Sequence, residues 1–326
     1  MYGYPINQNG RVVRYGNAPE DYLTDVLSGL AVDFVKRSSS EPEPFFLYLA
    51  PTAPHEPAEA APRHREAFAG LQAPRPPSFN EADMSDKPAW LTGAPPLSDA
   101  RVAEIDTFYR KQAQALLAVD EMLAALLETL RANGELGSTY FVFTADNGLH
   151  AGEHRLVKAK LTPYDASARV PLVVRGPGVA AGRTVDAPTL LSDLAPTLTD
   201  FVDVPVPAFV DGRSLTPWLG EGDAPEGRQQ VLHEFWPREG FPADAPRGLP
   251  IPVYGALRSP EYLYAEYAYP DGHREQELYD LARYPFELDN IAATADAALL
   301  SALSAKLNVL RSCQAAACRD AEDSPL

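Results

Sequence analysis

Two short runs of uninterrupted apolar residues, each emptying into a loop, constrain this chain more than any other feature. The first, Phe45-Phe46-Leu47-Tyr48-Leu49-Ala50, follows Pro42 and Pro44 and leads into Pro51-Thr52-Ala53-Pro54-His55-Glu56-Pro57. The second lies in Thr139-Tyr140-Phe141-Val142-Phe143-Thr144 and stops at Ala145-Asp146-Asn147-Gly148. A strand with one wet face alternates apolar and polar residues. A run without alternation suits a strand covered on both faces, as in the parallel sheets of α/β proteins. Pro171-Leu172-Val173-Val174 reads as a third strand.

Helical spacing of apolar residues predicts an amphipathic helix over Asp21 to Val35. A second is predicted from about Asp99 to Asn133, with Ala118, Met122, Leu126 and Leu130 on one face and Asn133-Gly134 as its stop. Ser192 to Pro196 opens a shorter helix with Asp193 as a plausible cap. Residues 72–96 form a proline-rich excursion. After about Pro225 the texture changes to short strands, Val231 to Trp236, Val253 to Arg258 and Glu261 to Tyr267, then a helix from Asp296 to Arg311. This order predicts an α/β catalytic domain over 1–225 and a smaller α+β subdomain over 226–326, with an antiparallel sheet and a terminal helix.

Composition narrows the partners. A formal charge of −17 over 326 residues argues against nucleic acid, whose phosphates need a basic face. Any anionic ligand must then meet a local cationic pocket. No apolar run reaches the eighteen or so residues of a membrane span. Met1-Tyr2-Gly3-Tyr4-Pro5 lacks the charged and apolar regions of a signal peptide. Cys313 and Cys318 lie five apart, which suits a small disulfide loop in an oxidising compartment, with two free thiols as the alternative. No nearby Cys or His completes a zinc set.

In open α/β sheets ligands bind beyond the carboxyl ends of the strands. His55 follows one such end, and Asp146-Asn147-Gly148 follows another. An adjacent carboxylate and amide on a tight turn offer two hard oxygens, which suit Ca²⁺ or Mg²⁺. Taken singly, Asp-Asn-Gly is also an ordinary turn and a histidine among prolines an ordinary loop residue.

Together these segments resemble the type I sulfatases of the alkaline-phosphatase-like superfamily. Pro44 to His64 is similar to one of that family's signature regions. So are Phe143 to Leu156, Lys160-Leu161-Thr162-Pro163-Tyr164-Asp165 and Arg169 to Gly178. Glu277-Leu278-Tyr279-Asp280-Leu281 and Glu287-Leu288-Asp289-Asn290 resemble its C-terminal subdomain, and Asp21 to Leu27 resembles the N-acetylglucosamine-6-sulfatase branch. The resemblance implies an alkaline-phosphatase-like mixed sheet flanked by helices, and cleavage of sulfuric esters of sugars or aryl alcohols. It implies Asp146 and Asn147 as calcium ligands, His55 at the sulfate and leaving oxygen, Lys160 on a sulfate oxygen and His154 towards the substrate. Lys158 rivals Lys160, and the distance to Tyr164 and Pro171 favours Lys160. Charge builds on the sulfuryl and departing oxygens during such a reaction, so a cation, a lysine and an acid suit it.

One part of the pattern is missing. Sulfatases of this type attack with formylglycine, made by a formylglycine-generating enzyme from a Cys-x-Pro-Ser-Arg motif, and neither Cys313 nor Cys318 stands in one. The first metal-binding Asp pair is absent too. The expectation is an incomplete chain, inactive alone, from either an internal start or a truncated gene, whose full-length parent is extracellular or periplasmic. Two alternatives remain: a phosphodiesterase or phosphonate hydrolase of the same superfamily, and a non-catalytic remnant that binds sulfated glycans.

Overall fold

The computed structural model describes residues 1–236, 244–245 and 249–326. In chain order the elements are β1 (Pro5–Gln8), β2 (Arg11–Arg14), α1 (Leu23–Ser38), α2 (Ala89–Thr92), α3 (Asp99–Ala132), β3 (Phe141–Thr144), α4 (Asp165–Ala168), β4 (Leu172–Arg175), α5 (Leu194–Asp200) and α6 (Thr216–Leu219). Then follow β5 (Val231–Phe235), β6 (Asp244–Ala245), β7 (Leu249–Pro250), β8 (Val253–Arg258), β9 (Tyr262–Ala268), β10 (Arg274–Asp280), α7 (Ala297–Ser312) and α8 (Ala316–Asp323). They gather into two compact units, Met1–Ala73 with Ser98–Thr139, and Pro74–Leu97 with Tyr140–Leu326.

The first unit is built on α1 against α3. Ser98 caps α3 by accepting from the Arg101 amide at 3.3 Å. The predicted stripe is buried, with Ala118, Met122, Leu126 and Leu130 each no more than 3% exposed. Removing a leucine from such a stripe costs about 2–5 kcal/mol. The stop is as expected, since Gly134 takes φ +78° after Asn133. The run Phe45 to Ala50 corrects the sequence reading. It belongs to no strand among the described residues. Phe45 packs edge-on to Phe34 of α1 with ring centroids 5.8 Å apart, whereas Phe46 is 69% and Tyr48 82% exposed. One face is covered rather than two, and an apolar run reports hydrophobicity on both sides without guaranteeing cover for both.

In the second unit β3 and β4 pair antiparallel, Phe141 opposite Arg175 and Thr144 opposite Leu172. The larger sheet has the order β10-β9-β8-β5 and is antiparallel throughout. Both its faces are covered. Tyr254, Ala256, Ala265, Tyr267 and Tyr279 turn towards Met84, Trp90, Leu91, Leu156, Ala159 and Tyr164. Leu257, Tyr264 and Leu278 turn towards Leu303, Leu307 and Leu310 of α7. Residues beyond 226 therefore share one core with segments from 84–94 and 156–164. Cys313 and Cys318 are joined by a disulfide at the junction of α7 and α8. Helix α8, which sequence reading did not foresee, brings Glu322 to 2.7 Å from Arg228 Nε. Asp193 does not cap α5: both its oxygens bind Arg228, at 2.7 and 2.9 Å, and it also accepts from the Leu190 and Arg213 amides.

Candidate functional site

The turn after β3 places Asp146 at the surface, with Oδ1 accepting from the Asn147 amide at 3.0 Å. The Asn147 side-chain NH₂ donates to the Gly148 carbonyl at 2.8 Å, and among the described residues nothing donates to its Oδ1. Gly148 is required here: a Cβ would collide with the Ala166 carbonyl oxygen, and its amide donates to Ser167 O at 2.8 Å. The chain then doubles back. His150 N donates to Ala159 O and Lys158 N to His150 O, each at 2.9 Å. This register brings residues 158–159 alongside His150, just after the Asp146-Asn147 turn. Lys160 is half-buried and has no hydrogen bond or ion pair to any described residue, whereas Lys158 does interact with the protein. An ammonium with no internal partner is the one left over for an anion.

His154, expected to face substrate, is 1% exposed. Its Nδ1 lies 2.6 Å from Glu81 Oε2 and its Nε2 3.6 Å from Glu287 Oε2. Burial alone would lower its pKa, but the two carboxylates outweigh that and raise it. His150 beside it is the opposite case. Burial, reinforced by the charge on His154, pushes it down to about 3. The two neighbours are thus shifted in opposite directions, with ring centroids 6.2 Å apart.

Around this pair is a buried polar cluster that sequence reading missed. Lys87 is buried, 3.1 Å from Glu81 Oε1, and donates to the Glu287 and Leu288 carbonyls. Tyr164, Tyr267 and Tyr279 all donate to Glu277, at 2.7, 2.5 and 2.5 Å. Burial raises the Glu277 pKa, while the three hydroxyls and Lys87 oppose the rise. Arg258 grips Asp165 with two hydrogen bonds of 3.0 and 3.2 Å. The sequence signal lay in the Glu277-Leu278-Tyr279 and Glu287-Leu288-Asp289-Asn290 motifs, but Tyr164, Asp165 and Lys87, which they hold, sit more than 100 residues away.

The loop so held is conformationally costly. His154, Arg155, Lys158 and Leu161 take φ of +52°, +61°, +55° and +67°. Each left-handed residue of this kind costs on the order of 1–2 kcal/mol. Arg155 helps to hold it by donating to the Glu81, Ala94 and Ala82 carbonyls at 2.8–2.9 Å.

His55 belongs to the first unit, where it is exposed. Its amide donates to Thr52 O and its carbonyl accepts from Ala58 N, both at 2.8 Å, and its Nδ1 lies 3.0 Å from Glu56 O. Asp146, Asn147, His154 and Lys160 all belong to the second unit. As metal donors Asp146 and Asn147 fit a hard cation in kind, with a carboxylate on an exposed residue and an amide oxygen that accepts no hydrogen bond from the described residues. Among the described residues they are not part of a group of three or more His, Cys, Asp or Glu able to hold a metal.

The family model described as Sulfatase matches residues 2–204, and one described as N-sulphoglucosamine sulphohydrolase, C-terminal, matches residues 152–313. Human N-acetylglucosamine-6-sulfatase is 33% identical over 98% of this chain, and the chain spans 61% of that protein's length. An arylsulfatase of Volvox carteri is 31% identical over 92% of the chain, which spans 52% of it. Among solved structures, one bound to its substrate D-glucosamine-2-N,6-O-disulfate superposes with a TM-score of 0.74 at 24% identity, covering 94% of this chain and 72% of that one. The phosphonate monoester hydrolase of Agrobacterium radiobacter superposes with a TM-score of 0.73 at 26% identity, covering 91% and 62%.

Proposed function

The chain belongs to the sulfatase family, and from that premise we propose that it carries the anion-recognising part of a sulfuric ester hydrolase acting on a sulfated sugar. The observation that supports this most is the backbone register of 148–160, which pairs Lys158 and Ala159 with His150, three residues beyond the Asp146-Asn147 turn. The Lys160 ammonium would pair with a sulfuryl oxygen. Asp146 and Asn147 would hold calcium, which supplies positive charge to stabilise the sulfuryl oxygens as their charge builds. For His55, in the first unit, the family resemblance implies the role of acid to a leaving oxygen. His154 acts within the protein, since both its ring nitrogens face carboxylates.

The nucleophile implied by the family is a formylglycine hydrate, and residues 1–326 contain no Cys-x-Pro-Ser-Arg motif to supply one. The residues named here therefore serve recognition and charge stabilisation rather than attack. A sulfated amino sugar is the favoured substrate, because the relatives include N-acetylglucosamine-6-sulfatases and a neighbour bound to a glucosamine disulfate. An extracellular or periplasmic site of action accords with the disulfide and with relatives named extracellular sulfatases. Among the described residues no helix is long and apolar enough to cross a membrane.

The likeness to a phosphonate monoester hydrolase favours a second reading, hydrolysis of a phosphorus ester. Titration with glucosamine 6-sulfate and with the phosphonate monoester phenyl methylphosphonate, in the presence of calcium, separates the two. The sulfatase reading expects binding of the sulfate ester that Lys160→Ala abolishes. Preference for the phosphonate, or sulfate binding unaffected by Lys160→Ala, contradicts it.

A further inference from the structure

We propose that Glu287 is a positioning residue that clips the loop carrying Lys160, an inference that rests on the sulfatase reading. Its carboxylate reaches both ends of the segment. Oε2 lies 3.6 Å from His154 Nε2, and Oε1 accepts from the Asp165 amide at 2.9 Å. Lys158 and Lys160 lie between those two anchor points. The side chain of Glu287 is about 5% exposed, so the clip works out of bulk water, where a charge-assisted bond is strongest.

The segment needs such a clip. Four non-glycine residues between 154 and 161 sit at positive φ, a conformation that persists only where the surroundings over-determine it. Lys160, in that stretch, makes no hydrogen bond or ion pair to any described residue that would fix its side chain. Glu287 is itself anchored: its carbonyl accepts from buried Lys87 at 3.2 Å, and its own φ is +57°. Asn290, three residues on, ties the same stretch to the sheet by accepting from Leu278 N at 3.0 Å. A residue well beyond the predicted catalytic portion thus sets where the lysine stands.

The test compares the chain with Glu287→Ala and Glu287→Gln. Amide exchange is followed over 148–168, with β8 and β9 as the control in the same unit. Inorganic sulfate is titrated while the Lys160 side chain is observed by NMR. Glu287→Ala should speed exchange at 154–165 at least tenfold with β8 and β9 unchanged, and weaken sulfate at least fivefold. Glu287→Gln keeps an acceptor for the Asp165 amide but loses the charge facing His154, so it should fall between parent and Glu287→Ala in both readouts. Unchanged exchange at 154–165 overturns the clip. Faster exchange with unchanged sulfate affinity overturns positioning and leaves only support of the fold. If Lys160 of the parent never responds to sulfate, the role given to Lys160 fails, and the exchange data still decide whether Glu287 holds the loop.

Discussion

The loop around His55 and the loop around Lys160 were both expected to carry site residues, yet they are held in opposite ways. Pro51 to Pro57 is stiffened from within, by its prolines and by turn hydrogen bonds spanning three residues. Gly148 to Asp165 is held from far along the chain, by Glu81, Arg258, Glu277 and Glu287. A locally stiffened loop can present an exposed side chain without help. A loop with four residues at positive φ cannot, and here it borrows a buried ionic network.

That contrast is sharpest at Glu277. Its replacement by alanine strips the acceptor from three buried tyrosine hydroxyls, and stability to urea should fall by roughly 3–5 kcal/mol. Glu277→Gln, which keeps an acceptor oxygen, should lose less. If Glu277→Ala unfolds at the parent's urea midpoint, the network is not what holds this side of the molecule.

His154→Ala comes next, removing the imidazole that Glu81 and Glu287 both face while they stay buried, at a cost of about 3 kcal/mol. A direct substrate contact would instead predict little change in stability and a large change in sugar binding. Urea unfolding alongside the glucosamine 6-sulfate titration tells the two apart.

The pair of histidines should also shape stability against pH. His150 titrates near 3 when folded and near 6.5 when unfolded, so between those values the unfolded chain binds the extra proton. Stability is then lost as pH falls below about 6.5, by at most about 1.4 kcal/mol per unit from this group. His154 has a raised pKa, so its contribution is fully present below about 6.5 and is lost as pH rises through its folded value. Urea midpoints from pH 4.5 to 8.5 should show the acid limb flattened by His150→Gln and the alkaline limb by His154→Gln. Identical profiles for the parent and both variants would break the assignment.

The smallest effect belongs to the other loop. His55→Ala removes an exposed ring whose polar contact among the described residues is with the adjacent Glu56 carbonyl, so the urea midpoint should not move measurably. A clear loss of stability would mean that the His55 loop, too, depends on its side chain.

What the sequence disclosed follows the same division. Helices α1 and α3, the strands β5, β8 and β9, and the Asp146-Asn147 turn are local in origin, and periodicity, caps and glycines announce them. The failures needed distant information. Phe45 to Ala50 reads as doubly buried because its residues are apolar, but cover is supplied by other elements, and only Phe45's side finds α1. Asp193 reads as a cap from its neighbours, yet Arg228, 35 residues on, takes both its oxygens. His154 reads as solvent-facing within its motif, yet Glu81 and Glu287 lie 73 and 133 positions away in the chain.

The placement of the anion site beside Asp146 is the claim on which the functional reading stands. Calcium titration followed at the Asn147 side-chain amide tests it most directly, in the chain, in Asp146→Ala and in Asp120→Ala, an exposed residue of α3. Two protein oxygens predict weak binding, on the order of millimolar, lost in Asp146→Ala and kept in Asp120→Ala. An Asn147 amide that responds to calcium equally in the chain and in Asp146→Ala would contradict the placement.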